Sequence, residues 1–309
     1  MRVRYEPAGV HYFERSTGLH VLFDELRPPS GSWAKMPRFL SVALTNACEL
    51  HCAYCFAPKH GARLAREQLL RWADEADANG CFGIGFGGGE PTLYPDFGSV
   101  CQEVSECTEL SVSFTTHGHW HKRDLARELE GRVHFIRLSM DGMHGTYESN
   151  RGKPFGEFLA ALETIRATAP FGINYLINDE TIHELPSAAD FVVERGAMEL
   201  LLLPEVPQNG RNAPSERTID ALNGWMLDNW ANYPLRSSSM YADRLTAPVA
   251  AISDGRRYMD FLHIDASGVL KGCAFDSDGV QISEQSSLQD AIHELQSRSD
   301  ATHLAGEEL

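Results

Sequence analysis

The stretch Phe39-Leu40-Ser41-Val42-Ala43-Leu44-Thr45-Asn46-Ala47-Cys48-Glu49-Leu50-His51-Cys52-Ala53-Tyr54-Cys55-Phe56 runs from a short apolar segment into three cysteines spaced CxxxCxxC. Phe39–Leu44 reads as a buried strand, so the cysteines fall on the loop at its C-terminal end. From about Pro37 to Glu205 the same alternation of short apolar and longer amphipathic runs recurs six times. Strand candidates are Phe39–Leu44, Cys81–Phe86, Leu110–Thr115, Val133–Ser139, Phe171–Ile177 and Met198–Leu203, with helical segments around 63–78, 96–106, 121–130, 155–168 and 185–195. Repeated β/α units predict an α/β fold with a parallel sheet, wound by right-handed crossovers into an open barrel or a doubly wound sheet. In both, ligands bind at the C-terminal strand ends. The unusual residues obey that rule: the cysteines follow the first strand, Gly87–Pro91 the second, Thr116–Gly118 the third and Asp141–Gly142 the fourth.

Composition narrows the class. The 309 residues carry a formal charge of −16, with 43% hydrophobic and 23% charged residues. That charge disfavours a nucleic-acid partner, which normally needs a basic patch. No window approaches the ~18 uninterrupted apolar residues of a membrane span, and the start Met1-Arg2-Val3-Arg4-Tyr5-Glu6 lacks an export signal, so a soluble cytoplasmic protein is expected. The seven cysteines, three of them crowded into eight residues, make a poor disulfide framework and a better metal or redox site.

Outside the repeats, Val10–Phe13 and Leu19–Phe23 predict a hairpin, and Arg27–Ser32 a linker. Pro207-Gln208-Asn209-Gly210-Arg211 breaks the repeat. A helix near 215–230, a hairpin over Tyr258–Phe275 and a helix near 287–297 follow. The expected division is residues 1–36 (hairpin and linker), 37–210 (core) and 211–309 (a small α+β cap).

Three thiolates on one short loop can hold three irons of a cubane and leave the fourth iron open to a ligand. Structural zinc is the alternative, but it ordinarily takes a fourth Cys or His at comparable spacing. Gly83, Gly85 and Gly88 also satisfy GxGxxG, yet Gly83 and Gly85 fall inside the strand and Glu90-Pro91 stands where a phosphate-binding helix would open.

Taken with Gly87-Gly88-Gly89-Glu90-Pro91 and Arg137-Leu138-Ser139-Met140-Asp141-Gly142, the cysteine loop and its trailing Phe56 resemble the radical S-adenosylmethionine (SAM) superfamily over about 38–210. The resemblance implies a partial (β/α)6 TIM-like barrel with an N-terminal hairpin and a small α+β C-terminal cap. It also implies one 4Fe–4S cluster on Cys48, Cys52 and Cys55, SAM as cofactor, and an external electron donor such as flavodoxin or ferredoxin. Gly88, Gly89 and Glu90 correspond to a segment that contacts the methionyl amine, and Phe56 to the aromatic that follows the cluster loop. Thr116 and His117 correspond to a polar turn near the ribose; His117 stands where Asn is more usual, and an ordinary loop histidine is the other reading. His119 and His121 lie beside it, but alternate residues on one loop rarely converge on a metal. Ser139 and Arg151 are candidates for the SAM carboxylate; Arg151 also reads as a loop cap and Asp141 as an N-cap. Asn178 and Leu203 stand where ribose and adenine contacts are expected.

The hairpin ending at Cys273 resembles the opening of the C-terminal extensions of peptide-maturing members, which carry auxiliary clusters. No cysteine follows Cys273, so a shortened extension without a second cluster is expected, with Cys273 either packing or donating hydrogen. These features point to radical modification of a ribosomally made peptide. A small metabolite (nucleotide, sugar or amino acid) is the alternative substrate, and a structural iron–sulfur or zinc module the non-enzymatic one.

Overall fold

A three-stranded antiparallel sheet opens the chain, formed by β1 (Arg2–Glu6), β2 (Gly9–Glu14) and β3 (Leu19–Phe23) in that order. The computed structural model describes residues 1–58, 60–120, 124–207, 212–246 and 252–306. β1 is an addition to the expected hairpin. Its inward positions are Arg4 and Glu6, charged residues that apolar patterning cannot reveal as buried.

The core follows as β4 (Phe39–Thr45), α1 (Arg66–Ala78), β5 (Gly83–Gly88), α2 (Phe97–Cys107), β6 (Ser111–Thr116), α3 (Leu125–Leu129), β7 (Phe135–Met140), α4 (His144–Arg151), α5 (Phe155–Thr168), β8 (Phe171–Ile177), α6 (Leu185–Glu194) and β9 (Leu200–Pro204). The expected helix 121–130 shrinks to α3, and residues 121–123 lie outside the described residues. α4 adds a helix with almost no apolar period, since Tyr147 alone in it is buried. Tertiary contacts hold it: Glu184 accepts the Met143 N–H and the Thr146 hydroxyl, both at 2.7 Å, and Gly152 closes the helix in the left-handed conformation.

In the tail come α7 (Glu216–Asn229), β10 (Leu235–Ser237), β11 (Phe261–Ile264), β12 (Val269–Lys271), β13 (Val280–Gln281) and α8 (Leu288–Gly306). Its strands join the core sheet, whose order is β10-β9-β8-β7-β6-β5-β4-β11-β12-β13. β4 to β10 run parallel, β11 adds in parallel to β4, and β12 and β13 continue antiparallel. The expected C-terminal hairpin is therefore β11–β12, built onto the edge of the barrel sheet. Of the expected break Pro207 to Arg211, residues 208–211, and with them the boundary at 210, lie outside the described residues.

The strands sort their side chains by size. Leu40, Val42, Leu44, Ile84, Phe86, Val112, Phe114, Ile136, Leu138, Met140, Ile173 and Tyr175 pack with the helices in one apolar core. The alternate positions carry the small residues Ser41, Ala43, Gly83, Gly85, Gly87, Ser113, Thr115 and Ser139, with the larger Phe39, Phe135 and Arg137 in the N-terminal halves of their strands. A Cβ at Gly87 would meet nothing within 4 Å.

At the N-terminal strand ends, Phe13 and His20 pack on Phe39 and Phe82. Beside them Glu6 binds both Arg4 (2.8 Å) and Arg38, and Arg4 reaches Asp254 at 2.9 Å. All four side chains are essentially inaccessible. The knot ties the first strand, the entry to β4 and the segment before β11 together.

Candidate active site

Glycine chemistry fixes the first two turns of the C-terminal rim against each other. The Gly89 N–H donates to Thr45 O and the Glu90 N–H to Ala47 O, both at 2.7 Å. This approach leaves no room for side chains, since a Cβ on Gly88 (φ +119°) would lie 2.3 Å from Thr45 O and one on Gly89 2.2 Å from Ala47 O. The glycine segment is thus the seat of the cysteine loop. Within that loop the Cys55 N–H donates to Cys52 O at 3.1 Å.

Cys48, Cys52 and Cys55 are all partly exposed and in no disulfide, whereas Cys81 and Cys101 are buried. Burial pushes the Cys81 thiol up to about 11 and holds it protonated. Among the described residues the three loop sulfurs do not all lie within 4.8 Å of one another. A single tetrahedral zinc would hold its sulfurs about 3.8 Å apart, closer than all three lie here.

Glu90 is completely buried and accepts four hydrogen bonds: from the Thr92 N–H (3.2 Å) and hydroxyl (2.7 Å), the Thr116 hydroxyl (2.8 Å) and the His117 N–H (3.0 Å). It braces the end of β5 to the end of β6. Thr116 is equally committed, because its Oγ1 also accepts from the Gly118 N–H and the Trp120 indole. His117 is 3% exposed and turns beneath the cysteine loop, its Nε2 3.3 Å from Glu49 and 3.2 Å from Glu90. Burial, then His117, lowers the neighbouring His119 to about 4, so that imidazole is neutral at pH 7. His121 lies outside the described residues.

On the fourth turn, Asp141 accepts from both the Tyr54 hydroxyl and Arg151 Nε. Burial, and then the Asp141 charge, drives the Tyr54 phenol far up, so it remains a donor. Burial opposes the Arg151 charge, but Asp141, Tyr54 and Cys52 together more than offset it. The two Arg151 Nη nitrogens make no hydrogen bond among the described residues. Ser139 lies one strand-step before the rim on the small-residue face, opposite Asn174 of β8.

Asn178 is spent on its own turn: its Oδ1 accepts from the N–H groups of Glu180 and Thr181, and its Nδ2 donates to Glu205 at 3.0 Å. Leu203 occupies a half-buried position of β9 on the same face. Phe56 meets Phe275 with ring centroids 4.7 Å apart, which brings the β12–β13 loop against the cysteine loop. On that loop the Cys273 thiol lies 3.0 Å from Asp276 Oδ1, and burial together with this hydrogen bond raises its pKa. Glu49, Tyr54 and Glu205 also join the site, and no spacing in the sequence marks them.

Residues 42–192 match the family model described as the Radical SAM superfamily. This stretch is a radical SAM domain. Among curated proteins, the chain is 23% identical over 202 residues to a probable GTP 3′,8-cyclase of Halobacterium salinarum, covering 60% of this chain and 56% of that one. It is 29% identical over 189 residues to the sporulation killing factor maturation protein SkfB of Bacillus subtilis, covering 57% and 45%. The match thus spans about half the length of these relatives. Among solved structures, Streptococcus suis SuiB bound to S-adenosylmethionine superposes with a TM-score of 0.72 at 13% identity, covering 94% of this chain and 86% of that one. SuiB bound to its precursor peptide SuiA gives 0.66 at 16%, covering 83% and 64%. The shared fold is the partial TIM-like barrel. No helix among the described residues is long and apolar enough to cross a membrane.

Proposed function

We propose that the chain is a radical SAM enzyme that modifies a peptide at an unactivated carbon. The observation that carries this reading is one rim on which three half-exposed cysteines, a glycine seat, a buried carboxylate brace and an arginine held at Nε stand at successive strand ends above the small-residue face of the sheet. A 4Fe–4S cluster, when bound, would supply the electron for reductive cleavage of SAM and so the radical chemistry that removes a substrate hydrogen.

Cys48, Cys52 and Cys55, partly exposed on one loop, would hold the cluster. Backbone carbonyls of the glycine segment receive the methionyl ammonium, because nothing but glycine lets the chain come so close. Asp141 fixes Arg151 by its Nε, so both Nη groups are donors for the SAM carboxylate, with Ser139 beside them. Phe56 and Leu203 supply apolar walls. Glu90, Thr116 and Asn178 hold the turns in place through the hydrogen bonds they already make. The small residues of that face admit a substrate and keep bulk water from the radical once it is filled. Electrons come from a flavodoxin- or ferredoxin-like donor in the cytoplasm.

Peptide as substrate draws support from the maturation role in SkfB's name, from the SuiB–SuiA complex, and from a SuiB superposition that takes in the tail strands. The likeness to GTP 3′,8-cyclases favours a nucleotide as the second reading. The test is incubation with per-deuterated candidate peptide or with deuterated GTP. Deuterium in 5′-deoxyadenosine from the peptide alone supports the proposal, and deuterium from GTP alone replaces it.

A further inference from the structure

His117 occupies the place where the rim departs most from the residue types expected of it. Its Nδ1 accepts the His119 backbone N–H at 3.0 Å, which places the ring proton on Nε2. That nitrogen is buried, 3.3 Å from Glu49 Oε2 and 3.2 Å from Glu90 Oε2, and the imidazole brings a ring nitrogen within 4.8 Å of Cys48 Sγ. Neither carboxylate meets it at a hydrogen-bonding angle, so among the described residues the Nε2–H has no hydrogen-bond acceptor. Glu90 already serves four other donors.

Cys48, Glu49 and His117 together have the ligand types of a mononuclear zinc site. A protonated Nε2, however, offers no lone pair to a metal. What a buried N–H does is donate, and a metal-bound thiolate is a strong acceptor in a dry corner. Hydrogen bonds to cysteine sulfur are one of the levers that set iron–sulfur potentials.

We propose that His117 is a positioning residue for the first cluster cysteine: its Nε2–H donates to the Cys48 sulfur, steadies the loop and raises the cluster's reduction potential. The inference rests on the cluster assignment above. The lowered charge on that sulfur favours the reduced, more negative cluster, and the two carboxylates beside it act in the opposite sense.

The test uses the full chain reconstituted anaerobically with iron and sulfide, as wild type, His117→Ala and His117→Gln. Iron content, thermal melting and a potentiometric titration followed by electron paramagnetic resonance are measured on each. His117→Ala is expected to lose about tenfold in electron affinity, a downward shift of about 59 mV for a one-electron couple, at wild-type iron content. His117→Gln keeps an N–H at similar reach and recovers part of the shift. If alanine blocks loading while glutamine restores iron and a near-wild-type potential, the donor role also stands. Potentials that do not move in variants carrying full iron overturn it, as does failure of both variants to load iron while melting as wild type does. A wild-type chain that takes up no iron overturns the cluster assignment itself, and this inference with it.

Discussion

The two ends of the parallel strands treat buried charge in opposite ways. At the N-terminal base, Arg4, Glu6, Arg38 and Asp254 close on one another, and each charge has its partner within the protein. At the C-terminal rim the framework is equally well bonded through Glu90 and Asp141, but among the described residues two donors are left over: the Nη pair of Arg151 and the Nε2–H of His117. The base is complete as folded. The rim is complete only with its ligands, and that separates a lock from a site.

The largest expected effect breaks the lock. Glu6→Gln leaves two buried arginines without their shared carboxylate and should cost about 3–5 kcal/mol in denaturant unfolding, while iron bound per folded chain stays unchanged. A matching loss of iron per folded chain would erase the distinction between the ends.

Acid should act on the same residue. Burial raises the Glu6 pKa, but the His11 and Arg38 hydrogen bonds and the Arg38 charge lower it further, to about 2 from 4.5. A carboxylate depressed in the folded state stabilises above its unfolded pKa and loses that contribution as pH falls through the folded value. About 3 kcal/mol should therefore disappear between pH 4.5 and 2, and the acid limb of Glu6→Gln should be flatter than that of wild type.

Glu90→Gln is the counterpart on the rim. It replaces a four-bond acceptor with an amide whose nitrogen faces donors, at about 2–3 kcal/mol, and here iron retention per folded chain should fall by more than half. Retention at the wild-type level would mean that Glu90 supports the fold alone. Smallest is Cys273→Ala, expected within about 0.5 kcal/mol of wild type in stability. It should leave SAM cleavage intact and alter the fate of the substrate, read as a changed product by mass spectrometry.

The core was legible where residue pattern and burial agree. Phe171–Ile177 and Phe155–Thr168 are a strand and a helix with the expected bounds, because β-branched alternation and a 3.6-residue period each select one element. The rim positions of the cysteines and Glu90 were also legible, since each follows a strand whose end the apolar run marks. Elements held by distant polar contacts were not. β1 buries Arg4 and Glu6, α4 depends on Glu184 some forty residues on, and β11 completes its hydrogen bonds on β4, more than two hundred residues away. Asn178 and Thr116 read as ligand contacts by position, yet their hydrogen bonds are used inside the protein, which no local pattern discloses. Glu49 and Tyr54 gain their places only from the loop's path.

The central claim is that the rim's missing partners are an iron–sulfur cluster and SAM. Anaerobic reconstitution of the full chain, with iron counting and assay of 5′-deoxyadenosine under reducing conditions, tests it most directly. About four irons per chain and reductive SAM cleavage, both abolished in Cys52→Ala, are predicted. One tightly held zinc per chain with no 5′-deoxyadenosine would contradict the account.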